Sequence, residues 1–389
     1  MAETDIVISG YGMRTAVGNG SVQTCASVRA GINRFAEWPW FAPCESPDDE
    51  EPSGIVGSAV TPDLGDEDWT VKAQMLLVEP IFEALWQARL FESTAIQSIV
   101  LYLATPYIDR CVSQLTTDEA SLDEEMPATQ TERVEEDEPL GNGSESERHY
   151  RSFMRKTEAA LRESVQLAGI RFFPNDHAGG GAALAAAMND IASGKVSAAI
   201  VGGVDSLMCS AHLEHLMASG CLKSQMNPLG LIPGEGAAMI VLESRKSVAK
   251  RGVLALAAIG SVELAMESYH IGDDSAITAQ SLSKVLRSAV EKAGGAKLFH
   301  ELIVDLNGQR ARFLEWATTE TRCMHAFPRG WKLSHPADCL GDVGAAFVPI
   351  ALGLATRSFE RGYGQSPVLV CSSSIRGERV AITILPIHP

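Results

Sequence analysis

Two stretches in opposite halves of this chain repeat one pattern, and the repeat constrains the fold more than any other feature. The first, NDHAGGGAALAAAMNDIASGKVSAAIVGGVDS from Asn175 to Ser206, reads as a turn, a small-residue helix, a turn, a buried strand and a Gly-Gly turn. The second, GDVGAAFVPIALGLATRSFERG from Gly341 to Gly362, opens on a Gly-bearing turn and continues as a small-residue helix. It leads to the apolar strand Val368–Cys371 and the turn Ser372–Gly377. Six alanines and three glycines between residues 178 and 187 let backbones approach closely, so this helix is expected at the centre of the molecule. The repeat predicts two pseudo-symmetric α/β halves, residues 1–250 and 251–389, with buried helix N-termini brought to a shared axis.

The remaining pattern fits that frame. Ile6–Gly10 reads as a strand closed by glycine, Met13–Gly20 as a loop and Ser21–Ala30 as a helix. Residues 36–70, rich in Pro, Asp and Glu, read as irregular surface. Leu77–Leu90 and Phe153–Leu167 carry helical apolar spacing, and Ser98–Ala104 reads as a strand buried on both faces. Val304–Gly308 ends a further strand, whose C-terminal end is expected in the crevice where open α/β sheets bind ligands.

Charge sets limits on partners. Across 389 residues, 32 Lys and Arg stand against 49 Asp and Glu, a net −17, while 46% hydrophobic content excludes disorder of the whole chain. Residues 118–147 hold twelve acidic side chains against Arg133 alone, a local net of −11. Such a segment buries too little apolar surface to offset its ordering entropy and reads as a solvated loop, or else as a docking surface for a basic partner. Nucleic acid and anionic membrane surfaces are excluded as partners on charge. The start of the sequence lacks the pattern of a secretory signal, and no apolar run reaches a membrane span. Eight scattered cysteines with no CxxC pair fit neither a disulfide framework nor a zinc ribbon, so a reduced cytoplasm is the expected compartment.

Five segments carry a family resemblance: IVISGYGMRTAVGNG at 6–20, HAGGGAAL at 177, AAIVGGVDS at 198, PGEGAAMIVLES at 233 and LGDVGAA at 340. In order and approximate spacing they resemble the β-ketoacyl synthases of the thiolase superfamily, nearly end to end. The resemblance implies a five-layered α-β-α-β-α fold of two similar halves, a dimer, and a relation to acyl thioesters borne by an acyl carrier protein.

The family's catalytic residues do not carry over. Its nucleophilic Cys matches His177, its first catalytic His matches Asn307, and its second matches Asp342, or Gly341 if the turn is anchored on Gly344-Ala345-Ala346. Its closing oxyanion turn falls on Ser374, Ile375, Arg376 and Gly377. Condensation needs a thiolate to accept the acyl group and imidazoles to stabilise an enolate, whereas an ionised Asp342 repels that developing charge. What the positions offer instead is a His177–Asp342 general base with Asn307 as donor, or a satisfied buried polar cluster. At a helix N-terminus, His177 is expected to be neutral. Arg310, Arg312 and Arg376 are expected either to plug the acyl entrance or to form an exposed salt-bridged rim.

No metal or cofactor is expected. His212 and His215 with Glu214 between them lack a third ligand, and neither Gly202-Gly203 nor Gly234-Glu235-Gly236 has a phosphate-loop context. The leading reading is a thiolase-fold pseudoenzyme that does not condense and acts through protein contacts. It would be a chain-length-factor-like partner in fatty acid or polyketide metabolism, or a secretion-system accessory adaptor for a secreted effector. It would pair as a homodimer or as a heterodimer with another thiolase-fold protein, with an acyl carrier protein as a further partner. The competing readings are a hydrolase or decarboxylase of acyl thioesters using His177, Asp342 and Asn307, and a lipid-binding cleft without chemistry.

Overall fold

The computed structural model describes residues 5–41, 54–60, 65–91, 98–111, 145–165, 167–269, 276–364 and 366–387. Among them the strands are β1 (Ile6–Thr15), β2 (Ala36–Trp38), β3 (Ile55–Gly57), β4 (Ile99–Ala104), β5 (Gly169–Phe173), β6 (Ala198–Ser206), β7 (Glu235–Ser244), β8 (Ala257–Met266), β9 (Glu301–Val304), β10 (Lys332–Ser334), β11 (Val368–Ser373) and β12 (Glu378–Pro386). The helices are α1 (Ser21–Arg29), α2 (Trp69–Gln87), α3 (Glu145–Ser164), α4 (Gly179–Ala192), α5 (Ser210–Ala218), α6 (Arg245–Arg251), α7 (Gln280–Lys292), α8 (Arg310–Cys323), α9 (Ala337–Leu340) and α10 (Phe347–Glu360).

Ten strands follow the order β10-β9-β11-β12-β8-β1-β7-β6-β4-β5. Outward from the β8–β1 junction, both sides repeat one plan. β1 pairs antiparallel with β7, β7 antiparallel with β6, β6 parallel with β4, and β4 parallel with β5. On the other side β8, β12, β11, β9 and β10 pair in the same sequence of directions. Only Val7↔Ala258 and Ile8↔Ala257 join the two sets, and the chain passes from one to the other through α6.

Strand alternation builds five layers. In β6, Ala199 and Val201 face a central core while Ala198, Ile200 and Val204 face the outer layer of α2 and α3. In β9, Ile303 faces the same central core while Leu302 and Val304 face α7 and α8. The central core also takes in Ala183, Leu184 and Ala187 of α4 with Val348, Ile350 and Leu352 of α10, so these two helices form the middle layer. This is the α-β-α-β-α thiolase-like fold. Its tight packing depends on small residues: a Cβ on Gly181 would stand 2.4 Å from Val380, and one on Gly203 only 2.2 Å from the Ala345 carbonyl.

Several local expectations are corrected. β1 continues to Thr15 through a bulge between Ile8 and Gly10 instead of ending at the glycine. Residues 36–70 contain the β2–β3 antiparallel pair and the start of α2, whose Trp69 is fully buried. β6 runs straight through Gly202-Gly203, where a turn is expected, because ladder bonds to β7 continue to Ser206. α3 begins at Glu145, inside the expected acidic loop; residues 118–144 lie outside the described residues. Among the described residues no helix is long and apolar enough to cross a membrane.

Candidate functional site

The site forms where the turns before the two central helices meet. Between β5 and α4 the backbone must reverse sharply, and Asp176 supplies a left-handed conformation (φ 56°), which Asp tolerates better than most residues with a Cβ. This turn places His177, buried at 3% exposure, against the corresponding turn before α10. There Nε2 lies 2.7 Å from Oδ1 of Asp342, and Nδ1 lies 3.1 Å from Oδ2 of Asp176. Asn307, just after β9, donates from Nδ2 to the other Asp342 oxygen at 2.7 Å, and the Gly344 N–H donates to Oδ1 at 2.9 Å. His177, Asn307 and Asp342, drawn from three distant segments, therefore share one hydrogen-bonded group.

Two arginines enclose it. Arg110 donates to Asp176 Oδ1 at 2.9 Å and pairs with Asp205, which also accepts from Trp69 Nε1 at 3.1 Å and from the Ala345 N–H at 3.1 Å. Arg312 donates to Asp305 Oδ2 at 2.7 Å and to the Ser373 carbonyl at 2.5 Å, and its Nη2 stands 3.2 Å from His177 Nδ1. Four carboxylates thus face two guanidiniums, and a protonated His177 is the third positive charge in reach. Burial and Arg312 oppose the imidazolium, but Asp342 and Asp176 outweigh both and hold the His177 pKa up to about 9. Burial would likewise raise the pKa values of Asp176 and Asp342. Arg110 for the first, and His177 for both, hold them well below the usual carboxylate range instead. The two paired carboxylates therefore act against the neutral form that the half-charge of a helix N-terminus favours, and they shift His177 toward the imidazolium.

Little space remains. The cavity beside His177, lined also by Asp305, Asn307, Pro336, Val343 and Phe347, measures about 10 Å³. One water needs at least about 10–15 Å³, so an acyl chain has no room here.

The other expected residues take separate places. Arg312 is buried inside the cluster, whereas Arg310 is exposed at the start of α8 and lies outside it. Arg376 is turned outward, paired with Asp109 and stacked 4.3 Å from the Tyr107 ring centre. In the closing turn, Ser374 accepts from the Ala178 N–H at 2.8 Å and donates to the Asn175 carbonyl at 2.5 Å. Gly377 takes φ 109°, and Ile375 is half-buried. His212 is buried, 3.1 Å from Cys209 Sγ, and among the described residues no group of three or more His, Cys, Asp or Glu side chains is placed to hold a metal. Sequence reading missed Arg110, Asp176, Asp205 and Asp305. Asp176 and Asp205 lie in the quoted repeat and Asp305 beside Asn307, so an unusual density of carboxylates at the ends of core strands was the available signal. Arg110 carried none.

Residues 176–247 match the family model for the β-ketoacyl synthase N-terminal domain. No curated protein sequence matches the chain. Among solved structures, the complex of a type II polyketide synthase acyl-carrier protein with its ketosynthase, bound to the hexaketide, aligns with a TM-score of 0.75 at 14% identity. It covers 99% of this chain and 100% of that one. The ishigamide ketosynthase/chain length factor aligns at 0.68 with 18% identity, and a β-ketoacyl synthase from Burkholderia phymatum at 0.69 with 16%; each pairing covers 99% of this chain and 100% of the other. Over its whole length the chain has the ketosynthase fold, and residues 176–247 resemble the β-ketoacyl synthase N-terminal domain, with His177, Asn307 and Asp342 meeting at the junction of the central helices.

Proposed function

We propose that this protein is a non-condensing member of the ketosynthase fold that works as a protein-interaction subunit, in the manner of a chain length factor paired with an active ketosynthase. One observation carries the reading: the position matching the family's nucleophile is a buried histidine locked between Asp342 and Asp176, beside a cavity of about 10 Å³. The nucleophilic sulfur is absent, the hollow beside His177 is too small for an acyl chain, and Asp342 adds a negative charge where an enolate would form. Core glycines and both central helices are kept, so the scaffold is preserved while the chemistry is removed. The partner complexes named for the similar structures, a ketosynthase with its acyl-carrier protein and a ketosynthase/chain length factor, supply the kind of assembly expected. A secreted effector as cargo is a more distant version of the same interaction role.

The competing enzyme reading draws on the His177–Asp342 contact, which resembles a general-base pair. A base must be deprotonated at working pH and must reach a substrate proton. The raised pKa of His177 and the cavity of about 10 Å³ oppose both requirements.

The test is purification of the tagged protein from its native host at moderate salt, followed by native mass measurement of the complex. Co-recovery of a thiolase-fold protein that carries the Cys-His-His residues supports the reading. A self-complex that turns over acyl thioesters overturns it.

A further inference from the structure

A second, open cavity lies at the opposite end of α10 from His177. It measures about 220 Å³ and is lined by Val22, Cys25, Ala26 and Arg29 of α1 with Arg357, Arg361 and Tyr363 at the end of α10. α10 separates it from the His177 cluster, whose cavity Phe347 lines at the helix start. The ten residue steps from Phe347 to Arg357 place the two cavities about 15 Å apart along the helix axis.

Charge sets this pocket apart in a chain of net −17. Arg357 is neutralised by Glu360 at 2.8 Å, and Glu360 is fixed in turn by the Tyr11 hydroxyl at 2.7 Å. Arg29 and Arg361 have no carboxylate within ion-pairing distance among the described residues. Arg29 lies instead 4.2 Å from the centre of the Tyr363 ring, which stiffens it. Glu301, near Tyr363, is already paired with Lys332 at 3.0 Å. The C-terminal ends of α1 and α10 bring about half a negative charge each, so they cancel about one guanidinium of the two left unpaired. A net positive charge remains on side chains that line an open, solvent-facing hollow. Burial pushes the Cys25 thiol up to about 12, so the floor adds no anion at neutral pH.

We infer that this pocket binds a small phosphorylated ligand. Two guanidiniums without a carboxylate partner among the described residues, one from α1 and one from the residue that follows α10, line the same hollow, and a guanidinium engages phosphate through paired N–H donors. The volume exceeds the roughly 30 Å³ share of a water several-fold, yet falls below the 300 Å³ at which drug-sized pockets begin. The fit is a phosphate carrying a short chain that packs on Val22 and Ala26.

The experiment titrates inorganic phosphate, pyrophosphate and butyl phosphate into the full-length protein by calorimetry at low salt, with circular dichroism to check folding. Saturable 1:1 binding that is tightest for butyl phosphate is expected, with at least a tenfold loss in the double variant Arg29→Ala/Arg361→Ala and only partial loss in Arg361→Lys. A variant of a remote exposed cation, Lys195→Ala, should bind as the parent does. Best binding by inorganic phosphate or pyrophosphate identifies a free phosphate as the occupant and overturns the short-chain fit. Absence of saturable binding, equal binding in the double variant, or saturation only by a polyacidic peptide overturns the site.

Discussion

The two ends of helix α10 show opposite uses of arginine. At its N-terminal end, Arg110 and Arg312 are consumed by Asp176, Asp205 and Asp305, with His177 bracketed between Asp342 and Asp176, and the hollow shrinks to about 10 Å³. At its C-terminal end, Arg29 and Arg361 line about 220 Å³ with no carboxylate paired to either among the described residues. The first arrangement satisfies charge internally and leaves nothing for a ligand. The second leaves positive charge that only a ligand or solvent ions can answer. A cluster of ionisable groups therefore marks a binding site only when its charges and space are unspent.

The largest effect should come from cutting the closed end. Arg312→Met removes the cation paired with Asp305, which keeps only the Ser373 N–H and the Ser372 hydroxyl, and the donor to the Ser373 carbonyl; it should cost about 3–5 kcal/mol in chemical denaturation. A loss below about 1 kcal/mol would mean the cluster is wet and loosely held.

The next effect is a pH dependence. His177 holds its proton up to about pH 9 in the folded state against about 6.5 when free. Its stabilisation is complete below pH 6.5 and is lost as pH rises through about 9, an amount on the order of 3 kcal/mol. The depressed Asp342 and Asp176 act in the opposite sense, contributing above the ordinary carboxylate range and losing their contribution on acidification. Denaturation midpoints measured from pH 6 to 9.5 should fall in the parent and stay nearly level in His177→Gln. A parent curve that is flat or rising over that range would show that His177 is neutral.

Asn307→Ala removes one donor from Asp342 while His177 and the Gly344 N–H remain, so about 1.5 kcal/mol is expected by the same denaturation assay. Smallest of all, Arg361→Ala at the exposed open end should change stability by less than about 0.5 kcal/mol while weakening phosphate binding. A larger stability loss there would recast Arg361 as a structural cap and erase the contrast between the two ends.

Much of the architecture was legible in the residues because it rests on local rules. Small-residue helices and continuous apolar strands specify the central layers, and the repeat of 175–206 in 341–373 foreshadows the matched strand orders, whereas Gly202-Gly203 reads as a turn and is strand. The convergence of His177, Asn307 and Asp342 came through the resemblance, since each lies at the end of a core strand or the start of a core helix. The protonation of His177 was not legible. It depends on Asp176 at φ 56°, and on Arg110 and Arg312 reaching in from elements far away in sequence, so helix position alone gave the wrong sign. The pocket at the C-terminal end of α10 has no sequence signal, because Arg29 ends α1, Arg361 follows α10, and only packing of α1 on α10 brings them to one hollow.

The central claim is that the nucleophile position has been converted into a closed ion network without chemistry. Incubating purified protein with malonyl- and acyl-pantetheine thioesters, and following carbon dioxide and free thiol release, tests it most directly. Release at the buffer rate, identical in the parent and in His177→Gln, is the expected result. Release above that rate which disappears in His177→Gln would contradict it.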